Sequence, residues 1–272
     1  MKVKRQLGKV YRWGLHTFFY NDIVSKLFFP RGYAKNINGT KILVPFKYSW
    51  FYPEIYEVDK TDFVKKNCKA GDTVIDIGAH LGIFSFFLAK QVGNSGKVYS
   101  FEPAKNTYKA LTQTIQYNEL NKIVNIRQQA VLDSSGEIAF YIFNSSRISN
   151  ANSISSQNLD TVAQKILVKS ISLDDLYREE NIQNLTLLKI DAEGAELDIL
   201  KGGKNLITKF QPFITLEVHP KSFEEPSKTM TEIYEIIIQY GYKVCINNKN
   251  LSLQDFCLHN TYFEVLLIPE KY

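Results

Sequence analysis

Long hydrophobic runs, cysteine pairs and a strong charge of either sign are all missing from this chain of 272 residues. No apolar stretch approaches the roughly 20 residues that a membrane-spanning helix requires. The three cysteines, Cys68, Cys245 and Cys257, are scattered with no C-x-x-C pair. That spacing argues against a disulfide framework or a zinc site and suits a reducing, cytoplasmic setting. The net charge is only +5, and much of it lies in Lys2, Lys4, Arg5, Lys9 and Arg12, ahead of the first acid, Asp22. Nucleic acid is therefore not expected as a partner. What is present, 44% hydrophobic and 22% charged residues, is enough for one full core. The length suits a single large α/β domain at residues 59–272 with an N-terminal appendage at 1–58.

The most informative stretch runs Ala70-Gly-Asp-Thr-Val-Ile-Asp76-Ile-Gly78-Ala-His80-Leu-Gly82, followed by Val98-Tyr-Ser-Phe-Glu102-Pro103. Val74, Ile75 and Ile77 mark a buried strand that breaks at Gly78 and Gly82 and re-enters as an apolar helix. Two glycines permit close backbone approach to a ligand. Glu102, twenty residues past Gly82, is placed to accept hydrogen bonds from ribose hydroxyls. Charge then selects among adenosine compounds. A pyrophosphate would sit on the helix N-terminus, where Asp76 would repel it. S-adenosylmethionine (SAM) carries an ammonium and a sulfonium, which an acid at this turn favours. The glycine spacing, G-x-x-x-G, also departs from the dinucleotide fingerprint G-x-G-x-x-G.

Residues Leu7, Val10, Tyr11, Leu15 and Phe18 predict an amphipathic N-terminal helix with a basic face, which either caps the domain or makes weak contact with a membrane surface. From Asp59 the pattern alternates. Helices are expected over Thr61–Asn67, from Gly82, and from Asn106 through Ile115. Strands are expected at Thr73–Asp76, Lys97–Phe101, Ile123–Arg127, Leu185–Ile190 and Pro212–Val218. Gly136–Phe143 and Ile166–Ile171 read as extra strands around a Ser/Asn-rich loop, Asn144–Gln157, that is a mobile connection or folds over an acceptor. Thr229-Met-Thr-Glu232 reads as a capping box opening a helix that stops at Gly241. Tyr242–Ile246 and Tyr262–Ile268, with no helix between them, suggest an antiparallel pair at the sheet edge.

A second constellation is Leu187-Leu-Lys189-Ile-Asp191-Ala-Glu193-Gly194-Ala-Glu196. Strand periodicity puts Lys189 and Asp191 on one face, with Asp191 at the carboxyl end where open α/β sheets bind ligands. Glu193 and Gly194 are expected to begin the following helix. A buried Lys189 needs an acid, Asp191 or Glu217. The next strand ends Thr215-Leu-Glu217-Val-His219, and His219 is the best-placed imidazole for general-base work. Asp191, Glu193, Glu217 and His219 could hold a divalent cation, but no tight ligand spacing demands one and none is expected.

Asp76-Ile-Gly-Ala-His-Leu-Gly-Ile-Phe-Ser, Phe101-Glu-Pro-Ala-Lys-Asn106, Gln129-Ala-Val-Leu-Asp133, Ser172-Leu-Asp174-Asp-Leu and Leu188-Lys-Ile-Asp-Ala-Glu-Gly-Ala-Glu-Leu together resemble the FkbM family of SAM-dependent methyltransferases. The resemblance runs from about Asp72 to His219. It implies a class I methyltransferase fold, a doubly wound, Rossmann-like, mostly parallel seven-stranded sheet with an antiparallel C-terminal edge strand, here joined to a helical N-terminal appendage. It further implies SAM as donor and a hydroxyl on a sugar, glycan or polyketide as acceptor. By the same resemblance Asp76, Gly78 and Gly82 would line the methionine end, Glu102 the ribose, and Gln129 and Ala130 the adenine edge. His80 departs from the family, which more often has Asn there. The expected reaction is in-line methyl transfer, with Asp191, His219 or Lys189 assisting deprotonation. A non-catalytic SAM-binding module and a nicotinamide-dependent enzyme are the alternatives.

Overall fold

A computed structural model describes residue 25 and residues 27–143, 163–247 and 249–272 of the chain. The expected N-terminal helix and the Ser/Asn-rich loop at 144–157 lie outside the described residues. The described part opens with a hairpin, β1 (Tyr33–Ile37) and β2 (Thr40–Val44), turning on Asn38 and Gly39, both with left-handed φ. A 3-10 helix at Phe46–Phe51 leads to α1 (Val58–Asn67). There follow β3 (Thr73–Ile77), α2 (Ile83–Val92), β4 (Lys97–Phe101), α3 (Lys105–Tyr117) and β5 (Val124–Arg127). Next are β6 (Ala130–Leu132), β7 (Gly136–Phe143), β8 (Ala163–Ser172), α4 (Leu173–Glu179) and β9 (Leu187–Ile190). The chain ends with α5 (Glu196–Gly202), α6 (Lys204–Phe210), β10 (Phe213–Val218), α7 (Pro226–Gln239), β11 (Tyr242–Ile246), β12 (Lys249–Asn250), α8 (Leu253–Cys257) and β13 (Phe263–Pro269).

The central sheet has the order β12-β11-β13-β10-β9-β3-β4-β5. Strands β5, β4, β3, β9 and β10 pair in parallel, while β13 runs antiparallel to both β10 and β11. The fold is thus α/β and mostly parallel, with helices covering the sheet. Two details differ from expectation. The antiparallel strand β13 lies two places in from the edge, inserted between β10 and β11, and the two-residue β12 adds an eighth strand. A short helix, α8, also separates the last strands, its N-terminus capped by the Ser252 hydroxyl, which accepts from the Asp255 amide at 3.1 Å.

Alternation along β3 divides the core. Ile75 and Ile77 face one apolar cluster with Tyr99, Phe101, Leu188 and Ile190, whereas Val74 faces another with Val98, Leu187 and Phe84. Ile42, Val44 and Tyr52 of the appendage belong to the second cluster, so that segment shares the core. The extra strands form their own three-stranded sheet, with β8 parallel to β6 and antiparallel to β7. Helix α7 starts at Pro226, in the first-turn position proline favours, so Thr229-Met-Thr-Glu232 lies inside it and caps nothing. Among the described residues no helix is long and apolar enough to cross a membrane.

Candidate active site

The carboxyl ends of β3, β4, β9 and β10 converge on one pocket of about 270 Å³. Its walls include Gly78 and His80 after β3, Glu102 and Pro103 after β4, Gln129 and Ala130 before and within β6, Asp191 and Glu193 after β9, and Glu217 of β10. Phe101, Val131 and Phe140 supply an apolar side. Tyr56 and Glu57 come from the appendage, held there by Asn38, whose Oδ1 accepts from the Tyr56 amide at 2.9 Å and whose Nδ2 donates to the Tyr56 carbonyl.

Glu102 is buried at the end of β4, accepting from the His80 amide at 3.1 Å and the Ala104 amide at 2.9 Å. Burial pushes its carboxyl up to about 7, against the lowering effect of those two amides. His80 takes a left-handed φ of 49°, and burial pushes its imidazole down to about 4, so it is neutral. Its buried Nε2 has no hydrogen-bond partner among the described residues.

Asp76 does not face the ligand space, contrary to the charge argument drawn from its sequence position. Strand register sets it between Ser100 on β4 and Lys189 on β9, on the face covered by α2. There it is fully buried, accepting from the Ser85 hydroxyl at 2.6 Å, with Lys189 Nζ 3.5 Å from its other oxygen. Asp191, and not Asp76, is the acid that lines the pocket. The two glycines are also needed for packing. A Cβ on Gly78 would stand 1.8 Å from the Asp191 carbonyl oxygen, and one on Gly82 would stand 2.6 Å from the Leu111 side chain. Gly78 lines the pocket, whereas Gly82 seats α3.

Lys189 is 2% exposed and donates to the Gly78 carbonyl at 3.1 Å, the Ile77 carbonyl at 3.3 Å and Asp191 Oδ2 at 3.3 Å. Burial alone would lower its ammonium, but Asp191 and Asp76 reverse this and raise it. It is a fixed cation that ties β3 to β9, and not a base. Burial alone would raise the Asp191 carboxyl, yet Lys189, His219 and Lys60 hold it below the ordinary range.

His219 corrects a second expectation. Its Nδ1 lies 2.7 Å from Glu196 Oε1, and its Nε2 faces Glu193 at 3.5 Å, Glu217 at 3.6 Å and Asp191 at 4.0 Å. Burial alone would lower this imidazole, but Glu196 and Glu217, helped by Glu193, push it up to about 11. With acids at both nitrogens and no place among the pocket walls, the ring is poorly placed to take a proton from an acceptor. Glu193 and Gly194 form a left-handed turn, φ 51° and 112°, ahead of the helix that starts at Glu196, which is why they do not begin it. That turn brings Glu193 to the pocket wall. Tyr56, Glu57, Val131 and Phe140 were not foreseen as site residues, because only the tertiary arrangement brings the appendage and the second sheet to this edge.

Residues 76–244 match the family model described as the methyltransferase FkbM domain. The chain is 26% identical over 178 residues to "Methyltransferase sdnD" of Sordaria araneosa, covering 56% of this chain and 68% of that protein. It is 24% identical over 165 residues to "Hexuronic acid methyltransferase AglP" of Haloferax volcanii, covering 60% of this chain and 62% of that one. Among solved structures it resembles methyltransferase FkbM from Methylobacillus flagellatus KT at 15% identity and a TM-score of 0.47, over 72% of this chain and 43% of the other.

Proposed function

Because the chain belongs to the FkbM methyltransferase family, we propose that it moves a methyl group from SAM to a hydroxyl of a sugar, glycan or polyketide-type small molecule. The observation that carries this reading is one pocket walled by both Glu102 and Asp191, with an apolar slot of Phe101, Val131 and Phe140. The donor set fits SAM. Glu102 would accept from the ribose hydroxyls, Gln129 and Ala130 would border the adenine within the slot, and Asp191 would face the cationic end. The His80 Nε2, buried and without a partner among the described residues, suits a ligand that brings a hydrogen-bond donor. When bound, SAM would supply a methyl carbon made electrophilic by a cationic sulfur.

The rest is the work of this chain's own residues. Holding an acceptor oxygen in line can account for about 7 to 11 kcal/mol of barrier reduction, and a general base for about 10²- to 10⁴-fold in rate. Orientation therefore outweighs proton removal. Glu193 replaces His219 as the proton acceptor, because its carboxylate lines the pocket while both nitrogens of His219 face acids. A sugar acceptor is supported by the relative named for hexuronic acid methylation.

The test is acceptor-dependent formation of S-adenosylhomocysteine from SAM, with uronic-acid glycans and hydroxylated polyketides as acceptors. Product on at least one hydroxylated acceptor is expected. SAM binding with no turnover on any of them would favour a non-catalytic binding module, and no SAM binding would remove the reading altogether.

A further inference from the structure

We propose that Asp191, Glu217 and His219 form a site for a divalent cation that takes mixed carboxylate and imidazole ligands, with Mn²⁺ as its probe. The sequence offers no compact ligand motif and no metal was expected from it. The fold nevertheless brings one donor atom from each of these residues within 4.8 Å of the others. His219 Nε2 lies 3.6 Å from Glu217 Oε1 and 4.0 Å from Asp191 Oδ1. These gaps are too long for good hydrogen bonds. Around a cation bonded at about 2.0 to 2.2 Å, adjacent donors stand roughly 3 Å apart and opposite donors roughly 4 Å, so small adjustments close the shell.

Beyond the acids, a buried imidazole points to a ligand at this place. His219 is only 8% exposed, and its ring is fixed from behind by Glu196, whose Oε1 lies 2.7 Å from Nδ1. Glu196 is fully buried, and its Oε2 has no hydrogen-bond partner among the described residues. A carboxylate holding one ring nitrogen so that the other faces outward is the usual support behind a metal-binding histidine. Here the outward nitrogen is aimed at Asp191 and Glu217, and a cation bound there takes the place of the Nε2 proton, which it displaces to solvent.

The local charge is also unbalanced. Asp191, Glu193, Glu196 and Glu217 all converge on one imidazole. The two buried lysines nearby are already shared: Lys189 lies against Asp76 and Asp191, and Lys60 against Glu57, Glu217 and Glu264. A dication offsets the excess of acids that these groups leave. Asp191 and Glu217 are also pocket walls, so the cation would be open to a further oxygen ligand. On the methyltransferase reading, from which this role alone follows, that ligand is the acceptor hydroxyl.

The experiment titrates the full chain, stripped with chelator, with Mn²⁺ in the absence of SAM and acceptor, following free and bound ion by electron paramagnetic resonance. One bound Mn²⁺ per chain is expected, with nitrogen modulation from one imidazole in the pulsed spectrum. Glu217→Gln and His219→Gln should each weaken binding at least about tenfold, and the latter should abolish the nitrogen signal. No saturable binding, or bound Mn²⁺ without nitrogen modulation in the unsubstituted protein, would overturn the proposal even if the variants failed to fold. Unchanged affinity in both folded variants would do the same. A parallel SAM titration of the metal-free protein keeps the two readings apart, since loss of one leaves the other standing.

Discussion

Lys189 is the side chain on which the site's electrostatics turn. It sits between Asp76, fully buried beneath the turn, and Asp191, on the pocket wall. Replacing it with Met would leave two carboxylates without their cation, and breaking such a buried pair costs about 3 to 5 kcal/mol. Chemical denaturation of Lys189→Met should show that loss, and an unchanged midpoint would contradict the clamp. Glu102 gives a pH signature. Its folded value near 7 lies above the ordinary 4.5, so the folded protein holds more protons between those values. Its contribution to stability is present below about 4.5 and is lost as pH rises through about 7. SAM affinity should run the other way, strengthening as the carboxylate forms and becomes a full acceptor. In Glu102→Gln both dependences should flatten across that window, as read by thermal melts and by SAM titration at several pH values. At the same scale, Glu193→Gln should lower kcat by about 10²-fold or more while SAM affinity changes little. Turnover that stayed unaltered would remove Glu193 from proton transfer. Residue types and spacing made Glu102 and Asp191 legible in the sequence. The burial of Asp76 was not legible, because both acids meet Lys189 and only strand register decides which of them lies under α2 and which reaches the pocket wall.

At the scale of elements, the β1–β2 hairpin does more than cover the sheet. Its turn residue Asn38 bonds both backbone groups of Tyr56 and so fixes a wall of the pocket. Asn38→Ala should destabilise the fold by about 1 kcal/mol and weaken SAM binding as well, whereas a change in stability alone would mean the hairpin serves only packing. The appendage is expected to be helical, and at Tyr33–Val44 it is instead this hairpin, turned by Asn38-Gly39, a strong turn signal between two short runs. The parallel strands were readable, as they are apolar runs ended by glycine or a charged residue. Short elements such as β6, α5 and α6 were not. Three to seven residues carry too little periodicity, and their existence depends on contacts such as Gly202, where a Cβ would come within 2.2 Å of the Leu132 carbonyl oxygen.

For the molecule as a whole, the sheet gathers acids from the ends of β4, β9 and β10 at one edge and answers them with Lys60, Lys189 and His219. On the proposed reading charge at that edge selects the ligand, through the pocket-lining Asp191 and not through the Asp76 of the glycine turn. A phosphorylated dinucleotide would meet Glu102, Asp191 and Glu193 in the same pocket, and a cationic donor would be drawn to them. The most direct measurement is a calorimetric titration of the purified protein with SAM and, separately, with NAD. Saturable heat with SAM, diminished in Glu102→Gln, and none with NAD is the result this account predicts. Saturation with NAD and none with SAM would contradict it.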